Sequence, residues 1–337
     1  MRAWRVAEHG EPAAVLRLVD VDTPAPAAGQ LLVRVRATAL NFPDVLLCRG
    51  AYQVRPPLPF TPGVELCGEV VALGAGVDRF AVGDRIIGTP ALPHGALAEY
   101  ALVDALEAYP APSALDDAAA ASLSIAYQTG WFGLHRRARL QPGETLLVHA
   151  AAGGVGSAAV QLGTAAGARV IAVVGGARKA EVATALGADV VIDRRERDVV
   201  AAVKEATDGR GADVVYDPVG GDAYAASAKC VAFEGRILVI GFASGTIPTP
   251  SLAHALIKNY SIVGLHWGLY KSHDRAAVDE THDRLTEWAA RGVIDPLIGG
   301  RLPLEDAADG LTRLAAGDSI GRLVVLPAGR SRANTGA

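Results

Sequence analysis

Cysteine is scarce. The 337 residues hold three, Cys48, Cys67 and Cys230, and no two are spaced as C-x-x-C. A dense disulfide framework is therefore excluded. Surplus positive charge is missing too: 32 Lys and Arg stand against 36 Asp and Glu, a formal net charge of −4. A nucleic-acid-binding surface needs the opposite balance, so no nucleic-acid partner is expected. No apolar run approaches the roughly 18 residues that a membrane span requires. The opening Met1-Arg2-Ala3-Trp4-Arg5 carries no apolar signal core. The expectation is a cytoplasmic protein kept reduced, with no membrane partner.

Apolar material is plentiful. Half of the chain is hydrophobic and 20% is charged, which is enough to bury a core and argues against global disorder. Mean hydropathy is +0.25, and it comes from Ala, Val and Leu spread along the chain. At about 150 residues per domain the length points to roughly two domains. No fixed-period repeat and no low-complexity linker interrupts it. Glycine is abundant at 38 residues, and its placement carries the functional argument.

Residues 1–124 read as short strands broken by turns, the pattern of a small β-barrel-type domain. Leu31 to Ala37 partly alternates after the turn cluster Pro24 to Gly29, and Glu69 to Leu73 ends at Gly74-Ala75-Gly76. Ser113-Ala114-Leu115-Asp116 resembles a capping box opening an Ala-rich helix. A second helix is expected over Ser124 to Leu140. Strands then recur near Thr145, Arg169, Asp189, Asp213, Arg236 and Ser261, with helix-forming sequence in most gaps. Such alternation predicts a doubly wound parallel sheet, so the fold class is α/β. The segment 267–337 is expected to complete the first domain. It holds helices over Arg275 to Arg291 and Leu304 to Ala316, an edge-like strand Arg322 to Leu326, and a tail that frays from about 328. The second domain is thereby placed at 125–266.

The loop His149 to Ser157 follows the strand at Thr145 and precedes a helix of small residues. From Ala151 it reads A-x-G-x-x-G, a dinucleotide fingerprint whose first glycine is replaced. Ala152, Gly153, Gly154 and Val155 would line the pyrophosphate, and Gly156 would let helix and strand pack closely. A purely structural turn is the alternative. An NAD site carries an acid near the end of the next strand. Here that strand runs out through Gly175 into Gly176-Ala177-Arg178-Lys179, and Arg194-Arg195 follows the strand after it. Cations there suit a 2′-phosphate, so NADP(H) is the expected cofactor, held by Lys179 and Arg194. Solvated loop charges are the alternative.

These residues also carry a resemblance. Asn41-Phe42-Pro43-Asp44, Arg49-Gly50-Ala51-Tyr52, Pro62 to Gly68, Val82 to Ile86, the glycine loop and Asp213 to Gly221 occur in an order similar to the medium-chain dehydrogenase/reductase superfamily. Within it they resemble the zinc-independent NADPH:quinone oxidoreductases, over nearly the whole chain. The resemblance implies a GroES-like catalytic domain, a Rossmann domain, and a cleft between them. It also implies NADPH-dependent transfer of hydride to a small electrophile, and a homodimer joined through the edge strand Ser261 to Leu265. Zinc-dependent relatives carry Gly-His-Glu where this chain reads Gly63-Val64-Glu65, so no metal is expected. Glu65 is expected to be a structural, hydrogen-bonded acid.

The resemblance further implies site residues. Asn41 matches a contact to the nicotinamide and acceptor, and Tyr52 a phenol at the cleft. Thr129 lies on the helix at the nicotinamide ribose. Val219, Gly241, Phe242 and Ser244 follow the fourth and fifth strands of the doubly wound sheet; His266 and Trp267 follow the sixth. Arg322 matches a cation near the cofactor phosphates, with a surface role as the alternative. Asp44 stands near Arg49, so an ion pair and a catalytic role both stay open. Cys48 is expected to be a buried, unreactive side chain. Three functions remain in play: a quinone reductase, a reductase of enoyl, alkenal or 2-haloacrylate double bonds, and an NADPH-binding structural or sensor protein.

Overall fold

A computed structural model describes residues 1–327; the tail expected to fray lies outside them. The described chain divides into two compact units, residues 1–124 with 298 onward, and Ile125–Leu297.

In the first unit, six strands form a sheet in the order Ile298–Pro303, Arg322–Leu326, Gln30–Ala39, Leu66–Leu73, Arg85–Pro90 and Tyr100–Pro110. Gln30–Ala39 also pairs with Tyr100–Pro110, with Gln30 opposite Asp104 and Arg34 opposite Tyr100. That second pairing curls four strands into the barrel of a GroES-like domain. Irregularities at Leu32/Val33 and Val35/Ala37 mark where the long strand bends. Inward residues Leu31, Val33, Val35, Leu66, Val70 and Ile86 fill the barrel. A second cluster of Trp4, Val45, Leu47, Phe60, Leu311 and Val325 packs the helix Phe42–Cys48.

Two local expectations are corrected. Arg322–Leu326 is not an edge strand. It lies between Ile298–Pro303 and Gln30–Ala39, running parallel to the first and antiparallel to the second. The covering strand escaped notice because it reads Ile-Gly-Gly-Arg-Leu-Pro, without alternation. Gly299 is needed there: a Cβ would sit 1.6 Å from the Ile320 carbonyl oxygen. The Ala-rich helix begins one turn later than Ser113, as Asp117–Ala120, with Asp116 as the N-cap accepting from Ala119 N. The preceding residues close a turn instead, Leu115 N donating to Pro112 O.

The second unit is a Rossmann domain. Its six strands are all parallel, in the order Ser261–Gly264, Val231–Val239, Ala212–Asp217, Thr145–Val148, Arg169–Val174 and Val190–Asp193. The strand order reverses beside Thr145–Val148, the position where such sheets bind dinucleotides. Leu147, Ile171, Val173, Val215 and Ile237 form the layer under the helices. This unit continues to Leu297, past the expected boundary at 266. The added segment belongs here because its partners do. Gln161 exchanges two hydrogen bonds with the Asp295 backbone, Gln128 donates to Val278 O, Arg136 pairs with Asp274, and Trp131 meets Trp288 edge-on at 5.1 Å. Among the described residues no helix is long and apolar enough to cross a membrane.

Gly156 is the tightest point of the loop that leaves the first Rossmann strand. A Cβ there would lie 2.1 Å from the Ala150 carbonyl oxygen and 3.0 Å from Ala151 Cα, whereas one on Gly153 would meet only that oxygen, at 3.1 Å. Gly156→Ala should therefore cost on the order of 1–3 kcal/mol, and Gly153→Ala much less. Thermal denaturation checks this; equal losses for the two variants would refute the close-packing role.

Candidate active site

The glycine loop forms an anion cradle. His149 N donates to Tyr216 O and Ala151 N to Val173 O, which ties the loop to the strands on both sides. The helix Gly154–Ala165 starts from Gly153 with no capping side chain. Its first N–H groups have no intrahelical acceptor, so Gly154, Val155 and Gly156 offer donors at the positive end of the helix. Ala152 is buried beneath them.

At the end of the next strand, two arginines fold back on the turn. A Cβ on Gly175 would lie 3.3 Å from Arg194 Nη2, and one on Gly176 3.1 Å from Arg195 Nη1. Lys179 follows in the first turn of the helix Ala177–Ala185. Asp193, the acid in this region, is committed to the backbone. Its carboxylate accepts from Arg195 N and, through both oxygens, from Gly176 N, each at 3.0 Å. Those bonds hold its pKa below the ordinary value. The turn thus gathers cationic side chains and commits its acid to the backbone. Arg195 lies on the same turn as the expected Arg194, a placement its position in a mixed-charge run concealed.

Two further loops are knit together. Val219 N donates to Asp217 Oδ1, Ser244 N to Val219 O, and Ala243 N to Pro218 O. Gly241, Phe242 and Ser244 therefore follow their strand side by side with Val219. Trp267 Nε1 donates to Gln128 Oε1 at 3.2 Å. That bond ties the segment carrying His266, which is exposed, to the helix Ser124–Trp131 that carries Thr129. Gln128 was not picked out from the sequence; a glutamine between Tyr127 and Thr129 gives no sign of its partner.

The first unit holds a buried polar cluster. Asn41 caps the helix Phe42–Cys48 and is 3% exposed. Its Nδ2 donates to Ala39 O at 3.0 Å and to Glu65 Oε1 at 2.8 Å. Arg322 Nη2 donates to the same Glu65 oxygen, and Thr38 Oγ1 donates to Glu65 O. Arg322 is 5% exposed and Glu65 1%. Arg322 is thus no surface residue, and its charge is directed at Glu65; its Nε has no hydrogen-bond partner. Burial lowers its pKa to about 10, opposed by the charge of Asp44. Asp44 does not pair with Arg49, which bonds Glu11 instead. Its two oxygens accept from Asn41 N and Gly63 N, because the N3 position of the helix aims them at the cap. Tyr52 is half-buried against the adjacent core. Burial and then the Asp44 charge raise its phenol pKa, so it remains a donor. Burial pushes the Cys48 thiol up to about 12, so it is unreactive.

Among the described residues no group of three His, Cys, Asp or Glu side chains could hold a metal ion. Glu65, beside the missing imidazole, spends its carboxylate on Asn41 and Arg322. The donor set does not fit catalytic zinc.

A GroES-like barrel on one chain with a Rossmann sheet defines an oxidoreductase of the medium-chain dehydrogenase/reductase superfamily. Family models agree: an alcohol dehydrogenase GroES-like domain matches residues 27–113 and a zinc-binding dehydrogenase domain matches 154–285. Quinone oxidoreductase-like protein 2 homolog of Nematostella vectensis is 38% identical over 88% of this chain and 81% of its own. The Mus musculus quinone oxidoreductase-like protein 2 is 36% identical over 96% and 92%. The structure of Escherichia coli quinone oxidoreductase complexed with NADPH superposes with TM-score 0.91 at 32% identity, covering 97% of this chain and all (100%) of that one. The chain belongs to the quinone oxidoreductase family.

Asp44 gives this cluster a pH signature. Burial raises its carboxyl from 3.8 to about 6, against lowering by the Asn41 and Gly63 N–H groups and by Arg322. The raised value means that folding favours the neutral form. The contribution is complete below about pH 4 and is lost as pH rises through about 6, a change of about 3 kcal/mol. Relative to Asp44→Asn, the wild type should lose stability across that window. Parallel Tm-against-pH curves would refute the assignment.

Proposed function

We propose that the protein is a zinc-independent, NADPH-dependent reductase that delivers hydride to quinones. The observation that carries the cofactor reading is the Gly175–Gly176 turn, with Arg194 and Arg195 folded onto it, Lys179 beside it and Asp193 bonded to its backbone. Such a site favours a 2′-phosphate over a free ribose hydroxyl. Ala152 to Gly156 would hold the pyrophosphate. Thr129, Val219, Gly241, Phe242, Ser244, His266 and Trp267, on the loops and helix around it, would hold the nicotinamide half. Bound NADPH supplies hydride from C4 of its nicotinamide. Asn41 and Tyr52 would meet the nicotinamide and the acceptor, the Tyr52 phenol donating to the acceptor oxygen as charge develops there. The quinone takes one hydride and one proton to become the hydroquinone, and solvent suffices as the proton source.

Reduction of an activated double bond uses the same residues. A single panel separates the readings: NADPH oxidation with 1,4-benzoquinone, 9,10-phenanthrenequinone, a 2-alkenal, an enoyl thioester and a 2-haloacrylate, with and without chelator. Quinone turnover unaffected by chelation is expected. NADPH should bind at least tenfold tighter than NADH, about 1.4 kcal/mol, and Arg194→Ala and Lys179→Ala should erode that preference. Turnover confined to the alkenes would overturn the quinone reading, absence of turnover the enzymatic one, and equal affinities the cofactor reading.

A homodimer and a cytoplasmic site complete the proposal. Three buried, unpaired thiols suit a reducing compartment. Ser261–Gly264 is an edge strand of the Rossmann sheet, and the helix leading into it exposes Leu252, Leu256 and Ile257 at 72–79%. A second copy paired edge to edge would cover both. Sedimentation at micromolar concentration should find a dimer, and Leu256→Glu should shift it toward monomer; a wild-type monomer would refute the pairing.

A further inference from the structure

We infer that Glu65 is a positioning residue for the nicotinamide ring, and that through it Asn41 offers a ligand an acceptor and no donor. This rests on the reading that Asn41 meets the nicotinamide. Both Asn41 amide hydrogens are committed, one to Ala39 O and one to Glu65 Oε1. Both partners are acceptors without a proton to give. Turning the carboxamide over would set oxygen against oxygen twice, so the orientation is fixed by chemistry. Glu65 cannot drift, since Arg322 holds its carboxylate and Thr38 its backbone. The carbonyl oxygen of Asn41 faces the Asp44 N–H in the capping box and keeps a second lone pair for a ligand, so it can receive an N–H but cannot stabilise an oxyanion. The matching group is a primary carboxamide, which the nicotinamide ring carries. Charge developing on the acceptor oxygen then falls to another donor, the protonated Tyr52 phenol.

The test compares binding of NADP⁺ with its 3-acetylpyridine analogue, which keeps the 2′-phosphate and lacks the carboxamide N–H. The wild type should prefer NADP⁺ by about tenfold, the worth of one hydrogen bond. Asn41→Ala should abolish that preference. Glu65→Asp retracts the carboxylate while retaining its charge, and should abolish it as well. The double variant Glu65→Leu/Arg322→Met removes the acceptor and both buried charges together, and should do the same with a cooperative melt. Should one Glu65 variant fail to fold, the other decides. Preference lost in Asn41→Ala but kept in a folded Glu65 variant overturns the positioning role. A wild type without preference overturns the acceptor role of Asn41. NADPH binding over NADH survives either result, because the 2′-phosphate is common to both ligands. Its failure would instead strike the cofactor reading itself.

Discussion

The Arg322–Glu65 pair joins residues 257 positions apart. It ties the strand Arg322–Leu326, which follows the whole Rossmann unit in sequence, to the segment leading into Leu66–Leu73. Burying two charges costs several kcal/mol per ion before their attraction is counted, and removing one partner typically costs 3–5 kcal/mol, roughly. Such a pair adds little stability over an apolar substitute. What it contributes is geometry: Glu65 is held where it fixes the Asn41 amide, while Asp44 fixes the Asn41 backbone from the other side. Three of the four side chains are charged, and all four are buried. The cluster is a buried polar knot at the start of the helix Phe42–Cys48.

The Rossmann unit achieves order by the opposite means. Its cofactor end is built from missing side chains and main-chain donors. Gly156 lets helix and loop meet at a distance no Cβ permits, and Asp193 braces the turn by accepting backbone N–H groups. Lys179, Arg194 and Arg195 gather positive charge at the Gly175–Gly176 turn. The polar cluster and the glycine loop thus use different means, buried charge against close backbone packing.

Local features were legible in the sequence; distant pairings were not. Parallel strands buried on both faces announce themselves as Leu146-Leu147-Val148 or Val170 to Val174, and the glycine loop marks its own strand and helix. Glu65 was readable as a structural acid, because the imidazole beside it is missing, but nothing near position 65 names Arg322. Asp44 beside Arg49 suggested an ion pair; the helix cap took Asp44 instead and Glu11 took Arg49. The run Ile298–Pro303 hid its strand because two glycines and a proline suppress the alternation that strand reading relies on. The extent of the Rossmann unit was missed for a related reason. Helix Arg275–Ala290 has an ordinary amphipathic pattern, and only its partners Gln128, Arg136 and Trp131 reveal the unit it covers.

The insertion of residues 125–297 between the two segments of the first unit sets an order of assembly. On the ribosome, the complete Rossmann unit has emerged before Ile298, and domains generally fold as units during synthesis. The barrel strands are made first of all, yet Glu65 must wait for Arg322, close to the end of the described chain. Until then its carboxylate lacks the Arg322 guanidinium, which disfavours its burial beside Asn41. The glycine loop can thus be in place early, and the Asn41–Glu65 contact is locked last. Chains cut short before position 322 lack that lock while retaining every residue of the cradle.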